Sequence, residues 1–87
     1  MSNQSETKSA LDIQEGGDHY KGYPIQPVEY CQKNGIQFME GNAIKYLTRH
    51  QDKNGAEDLK KAIHYTQLAL EHSYGVRCRV VYEEPEK

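Results

Sequence analysis

The chain has 87 residues, enough for one small domain, and 36% of them are hydrophobic. Its formal net charge of −2 argues that the protein does not bind double-stranded nucleic acid. No apolar run is long enough to span a membrane. Two cysteines are a weak signal for a disulfide scaffold, and the polar N-terminus is not expected to be a signal peptide, so we expect a cytoplasmic protein. A core this small stabilises a fold weakly, so we expect a homo-oligomer.

The N-terminal part of the chain is expected to be a flexible arm over residues 1–15, because its composition is polar. A turn-rich stretch follows, whose glycine pair at residues 16–17 would let backbone N–H groups approach an oxyanion. His19 and Tyr20 could hydrogen-bond to a ligand or stack on it. A plain turn before the folded domain is the alternative interpretation.

Two helices are predicted next. Pro27 suits the first position of a helix and Gly35 suits its C-terminal stop, so the first helix is expected between them. The second is expected from about Gln37 to Asp52, with an apolar stripe at helical spacing that consists of Met39, Ala43, Ile44 and Leu47. Gly41 costs this helix about 1 kcal/mol relative to alanine. Another backbone or a ligand is therefore expected close to it, unless the helix begins later.

The third helix follows an Asn-Gly turn, with Asn54 as its N-cap and Glu57 as the reciprocal partner. It is expected to end near Gly75, and its predicted buried stripe consists of Leu59, Ala62, Ile63, Thr66, Ala69 and Leu70. Residues 76–87 are expected to be a tail, with a short strand signal in their apolar alternation. The predicted fold is therefore a small all-α domain of three helices over residues 16–75, with an extended N-terminal arm and a C-terminal strand or tail, assembled into an oligomer.

One face of the second helix is expected to bind a ligand. Its members recur at helical spacing and are Asn42, Lys45, Tyr46, Arg49 and Lys53. Lys45 and Arg49, one turn apart, repel each other by a few tenths of a kcal/mol unless an anion lies between them. Lysine and arginine suit phosphate, and a tyrosine ring can stack on a base. These residues favour a phosphorylated, ring-containing ligand, and an ordinary solvated face is the alternative.

Three carboxylates are candidates for magnesium binding or base chemistry, namely Glu40, Glu57 and Asp58. Glu57 and Asp58 also suit the positive end of the third helix, whereas Glu40 has no evident partner. His50 and His64 do not have a metal-ligand spacing. The chain has neither a Walker phosphate loop nor a dinucleotide-binding fingerprint.

Four blocks of the sequence, in one order, resemble a small bacteriophage family described as nucleotide kinase-like. The blocks are Gly17–Tyr20, Ile25–Tyr30, Glu40–Arg49 and Lys53–Tyr65. The resemblance implies phosphoryl transfer to deoxynucleoside monophosphates such as dGMP and dTMP. It also implies an oligomer in the cytoplasm of the host cell that acts without a Walker loop, and we expect ATP as the donor and magnesium as the cofactor.

The matching positions are candidates for a site that holds phosphate and base. They are His19, Tyr20, Asn42, Lys45, Tyr46, Arg49, Lys53, Asp58 and Lys61. Lys45 and Arg49 are the expected catalytic cations, which would neutralise the transferring phosphoryl group. Glu40 or Asp58 would hold magnesium or the acceptor. Arg49→Ala is then expected to abolish turnover while the helical circular dichroism (CD) signal stays intact.

The alternative function is a non-catalytic nucleotide-binding oligomer that sequesters a host signalling or defence nucleotide. The same basic face serves both functions, but sequestration does not require Glu40 or Asp58 near the phosphates. An all-α nucleotide pyrophosphohydrolase would need more carboxylates at helical spacing than this chain has. An interaction protein that acts through its acidic ends has little support from a net charge of −2.

Overall fold

The computed structural model of the chain describes residues 22–86. The α-helices in this part are α1 (Pro27–Asn34), α2 (Phe38–Arg49) and α3 (Ala56–Tyr74), and a 3₁₀ turn, His50–Asp52, continues α2. The predicted all-α class with three helices is confirmed for these residues. None of the described helices is both long and apolar enough to cross a bilayer. The predictions for residues 1–15, His19 and Tyr20 lie outside the described residues.

α1 begins and ends where the sequence predicts. Pro27 occupies its first turn, and the backbone N–H of Gln26 donates to Oε1 of Glu29 at 3.4 Å. Gly35 ends the helix in the left-handed conformation with φ 65°, which an L side chain rarely adopts. The loop before α1 is tied to the end of α2, because the Tyr23 hydroxyl donates to the Thr48 carbonyl oxygen at 3.3 Å.

α2 is shorter than predicted, since its last turn tightens into the 3₁₀ turn after Arg49. Gly41 lies inside it and faces α1. A Cβ atom at Gly41 would lie 3.5 Å from Sγ of Cys31 and 4.0 Å from Cγ2 of Ile36. Of the alternatives expected at Gly41, no described backbone comes close and the helix does not begin later, while a nearby ligand stays a prediction.

The N-terminus of α3 differs from the prediction. Gly55, with φ 59° and ψ −126°, is the N-cap, and no side chain caps the helix. The predicted capping box of Asn54 and Glu57 is therefore wrong. Asp58 reaches back instead and accepts a hydrogen bond from the backbone N–H of Asn54 at 3.3 Å. Gly55 adopts the positive φ at the start of the helix, a conformation that glycine tolerates better than other residues.

α2 and α3 pack side by side through small residues. Ala43 and Ala62 are the buried hydrophobic residues of the described part, with 7% and 2% of their surface exposed. Leu59 and Ile63, which were predicted to be buried, are 36% and 41% exposed. Small side chains let the two helix backbones approach closely, but they bury little apolar surface. The core of a single chain is therefore thin.

The C-terminal residues 75–86 contain neither helix nor strand, so the strand expected at residues 76–82 is not formed in the described chain. They lie along α3 as a tail. Nε2 of Gln67 donates to the carbonyl oxygen of Cys78 at 2.6 Å, and Lys60 pairs with Glu84. The tail therefore returns toward the start of α3, as expected of a segment lying on the helices.

Candidate anion-binding site

Three cations converge on the ring of Tyr46. Nζ of Lys45 lies 4.7 Å from the ring centroid, Cζ of Arg49 lies 4.6 Å from it, and Nζ of Lys61 lies 5.4 Å from it. Such distances allow cation–π attraction. Lys45 and Arg49 come from α2, whereas Lys61 comes from α3. Lys45, Tyr46, Arg49 and Lys61 are called the cation cluster below.

The ring of Tyr46 is fixed from α3. It stacks on Tyr65 with a centroid distance of 5.9 Å and an interplanar angle of 12°. Tyr65 also meets the edge of Phe38 at 6.2 Å. Sequence reasoning missed Tyr65 as a site residue. A signal was present, since Tyr65 lies four residues after Lys61 and therefore on the same face of α3.

Arg49 forms a bidentate ion pair with Asp58. Its Nε donates to Oδ2 at 3.1 Å and its Nη2 donates to Oδ1 at 3.2 Å. The side chain of Asp58 is 0% exposed and that of Arg49 is 16% exposed. Burial alone would raise the pKa of Asp58, but the hydrogen bonds and charge of Arg49 and the N–H of Asn54 outweigh it and hold this pKa below its ordinary value. The pair is therefore ionised at neutral pH.

Acid is expected to destabilise the fold through Asp58. Because its pKa is lower in the folded chain, its contribution is complete above the unfolded value of about 3.9 and is lost as the pH falls through the folded value. We expect the urea midpoint to decrease below about pH 4, and to decrease less steeply in Asp58→Asn. Equal slopes for the two proteins in a urea and pH series would contradict this assignment.

The ion pair changes the roles expected for Arg49 and Asp58. Both carboxylate oxygens of Asp58 accept hydrogen bonds from Arg49 and the side chain is 0% exposed, so a metal ion could not reach them without disturbing the pair. Truncating Arg49 would leave a buried charge without its partner. We therefore expect Arg49→Ala to weaken the fold, in contrast to the intact helical signal that the sequence suggested.

The remaining carboxylates do not complete a magnesium site. Glu40 lies about 140° around the α2 axis from Lys45, by the geometry of 3.6 residues per turn. Its Oε1 is buried and has no hydrogen-bond partner among residues 22–86. Within residues 22–86, no three His, Cys, Asp or Glu side chains are grouped to hold a metal. Among the described residues, Glu40 and the cation cluster therefore do not form one magnesium site.

Two further predicted residues differ in position. Lys53 lies beyond the 3₁₀ turn with φ −133° and ψ −95°, so it does not continue the helical face that ends at Arg49. Asn42 is on that face, and its Nδ2 donates to the carbonyl oxygen of Phe38 at 2.9 Å. Its Oδ1 is left as an acceptor. The structure thus brings together Asn42, the cation cluster and Asp58.

The net charge of the cluster resides on its two lysines. Asp58 neutralises Arg49, whereas Lys45 and Lys61 have no carboxylate within 4.0 Å among residues 22–86. Both ammonium groups lie within 5.4 Å of one ring centroid. Two like charges around one ring repel each other, and an anion that contacts both would reduce that repulsion. The arrangement suits a phosphate group.

Comparison with known proteins identifies a family. A model of a protein family of unknown function, DUF3310, matches residues 14–67. The match includes α1, α2 and every member of the cation cluster. No curated protein matches the chain, and neither does any solved structure. Since the match covers more than half of the sequence, the chain belongs to the DUF3310 family.

Proposed function

We propose that this protein binds a phosphorylated nucleotide at the cation cluster and sequesters it without converting it. The observation that carries the proposal is the convergence of Lys45 and Lys61, from two helices, on the ring of Tyr46. An ammonium group is a point donor of charge-assisted hydrogen bonds to phosphate. Two of them, held by separate helices beside one ring, could contact the same anion.

The aromatic surroundings favour a nucleotide over inorganic phosphate. Phe38 is 72% exposed and lies next to Tyr65, on the same side of α2 as Asn42. An exposed ring of this kind can stack on a base, as base–aromatic contacts do elsewhere. The proposed location is the cytoplasm of the host cell, where such nucleotides occur.

Phosphoryl transfer to dGMP or dTMP, with ATP and magnesium, is a second proposal. It is supported by the resemblance to nucleotide kinase-like phage proteins. Glu40 is the carboxylate that favours it, because its buried Oε1 lacks a hydrogen-bond partner in the described part of the chain. Against it, Glu40 points away from Lys45 around the helix, and Asp58 is occupied by Arg49. Sequestration therefore has the better support.

Removing both lysines is expected to weaken nucleotide binding by about 100-fold, since each charge-assisted contact contributes about 1.5 kcal/mol. Titration calorimetry with dGMP and dTMP would compare Lys45→Ala/Lys61→Ala with Lys33→Ala/Arg77→Ala. The control removes the same charge from α1 and the tail, at exposed positions paired with Glu29 and Glu71.

The outcomes separate the two functions. Nucleoside that binds as tightly as nucleotide, or a double variant that binds like wild type, would contradict the phosphate site. The same proteins would then be incubated with ATP and magnesium, and the products separated by chromatography. Diphosphate formation would support the second proposal, whereas bound and unchanged nucleotide supports sequestration.

We further propose that the protein is a homo-oligomer joined through α3. Positions at helical spacing form a stripe without charged residues, consisting of Leu59, Ile63, Thr66 and Leu70. Leu59 and Ile63 are partly exposed, and Leu47 of α2 is 55% exposed. Ile63 and Leu47 line an apolar groove of about 240 Å³, together with Thr66 and Leu70 of α3 and Cys78 and Val80 of the tail. Charged residues are depleted from the centres of protein interfaces, so a second copy fits this stripe.

A further inference from the structure

A cavity of about 290 Å³ opens between α1 and the first two turns of α2. Val28, Cys31 and Ile36 form its apolar floor, and Phe38 forms one wall. Asn42 and Lys45 form the rim on the side of the cation cluster. Small-molecule sites occupy about 300–1,000 Å³, so this cavity suits one ring system. It is called the ring cavity below.

Lys45 connects the ring cavity to the cation cluster. It lines the cavity, and its Nζ lies 4.7 Å from the centroid of Tyr46. A ligand with its ring in the cavity can therefore place a charged group beside Lys45. Such a ligand is apolar and flat at one end and anionic at the other. A nucleoside monophosphate has this shape.

We propose that the ring cavity takes the base of the nucleotide whose phosphate lies at Lys45 and Lys61; this assignment rests on the proposed function. The base lies against Phe38 and the apolar floor. Oδ1 of Asn42 accepts from an N–H group on the base edge, because Nδ2 of the same side chain is already bonded to the carbonyl oxygen of Phe38 at 2.9 Å. Asn42 thus gives the base edge one hydrogen-bond acceptor.

Gly41 leaves the floor of the cavity open. It lines the cavity and its φ is not positive, so an alanine there is not strained. An added Cβ would make ordinary contacts, 3.5 Å from Sγ of Cys31 and 4.0 Å from Cγ2 of Ile36. Alanine would also favour the helix by about 1 kcal/mol. Packing and helix propensity therefore do not require glycine, whereas an open cavity floor does.

The test places a larger side chain at Gly41, so that it occupies part of the ring cavity. Gly41→Leu is expected to lower the affinity for dGMP and dTMP at least tenfold, to that of deoxyribose 5-phosphate, and to leave deoxyribose 5-phosphate binding unchanged. Gly41→Ala is the milder variant in case leucine disturbs folding. It is expected to keep or raise the melting temperature and to weaken nucleotide binding alone. Gly22→Leu and Gly22→Ala are the controls, because a Cβ at Gly22 meets no atom within 4 Å.

Different results would contradict the base assignment and the proposed function. If nucleotides bind and both Gly41 variants bind them like wild type, the base does not occupy the ring cavity. The same conclusion follows if deoxyribose 5-phosphate binds wild type as tightly as dGMP and dTMP do. If none of these phosphate compounds binds wild type, the proposed function fails and this assignment fails with it.

Discussion

Replacing Asp58 with asparagine is expected to lower the free energy of unfolding by about 3–5 kcal/mol, the usual cost of breaking a buried ion pair from one side. The variant leaves the guanidinium of Arg49, only 16% exposed, without its carboxylate. Small domains are stable by about 5–15 kcal/mol, so a large part of the total is lost. Urea denaturation followed by far-UV CD would measure the change.

Glu57→Gln is the matched control for this substitution. It removes the neighbouring carboxylate at an exposed position of the same helical turn, so we expect a change below about 0.5 kcal/mol. Equal midpoints for Asp58→Asn and wild type would contradict a structural role of the pair. Replacing both Arg49 and Asp58 with leucine should recover part of the loss, because neither charge is then left alone.

The second large effect is expected from Ile63→Glu, which is predicted to convert the oligomer to monomers. A carboxylate at the centre of the α3 stripe would be buried without a partner in the interface. Sedimentation velocity would report the dissociation, and the melting temperature of wild type should rise with protein concentration while that of the variant stays constant. Ile25→Glu is the control, since Ile25 is 62% exposed in the loop before α1.

Two results would contradict this interface. Wild type could sediment as a monomer at every concentration, in which case the stripe does not join copies of the chain. Alternatively, Ile25→Glu could dissociate the oligomer while Ile63→Glu does not. The contact would then lie near α1, away from the α3 stripe.

The helix ends that the sequence predicted correctly depend on single residues. Pro27 fixes its own φ and lacks an N–H group, and Gly35 and Gly75 adopt left-handed φ values of 65° and 68°. These effects need no information from elsewhere in the chain. The start of α3 was predicted wrongly because the turn of Asp58 toward Asn54 depends on Arg49, nine residues away.

The site was predictable where one helix determines it. Lys45, Tyr46 and Arg49 share a face through helical spacing alone. Lys53 was assigned to that face wrongly, because no glycine or proline marks the change from α2 to the 3₁₀ turn at His50. The approach of Lys61 and Tyr65 depends on how α3 is rotated against α2, which periodicity does not specify. For the same reason, the apolar spacing of Leu59 and Ile63 did not show that they would stay 36% and 41% exposed.

The ion pair between Arg49 and Asp58 also has a kinetic consequence. Its partners are nine residues apart, so it closes a short loop, and loops of this length close in about 10–100 ns. Contacts that are local in sequence accompany fast folding. The hairpin of α2 and α3 is therefore the part expected to form first, with the pair inside the folding nucleus. Substitutions at the pair should slow folding more than they accelerate unfolding.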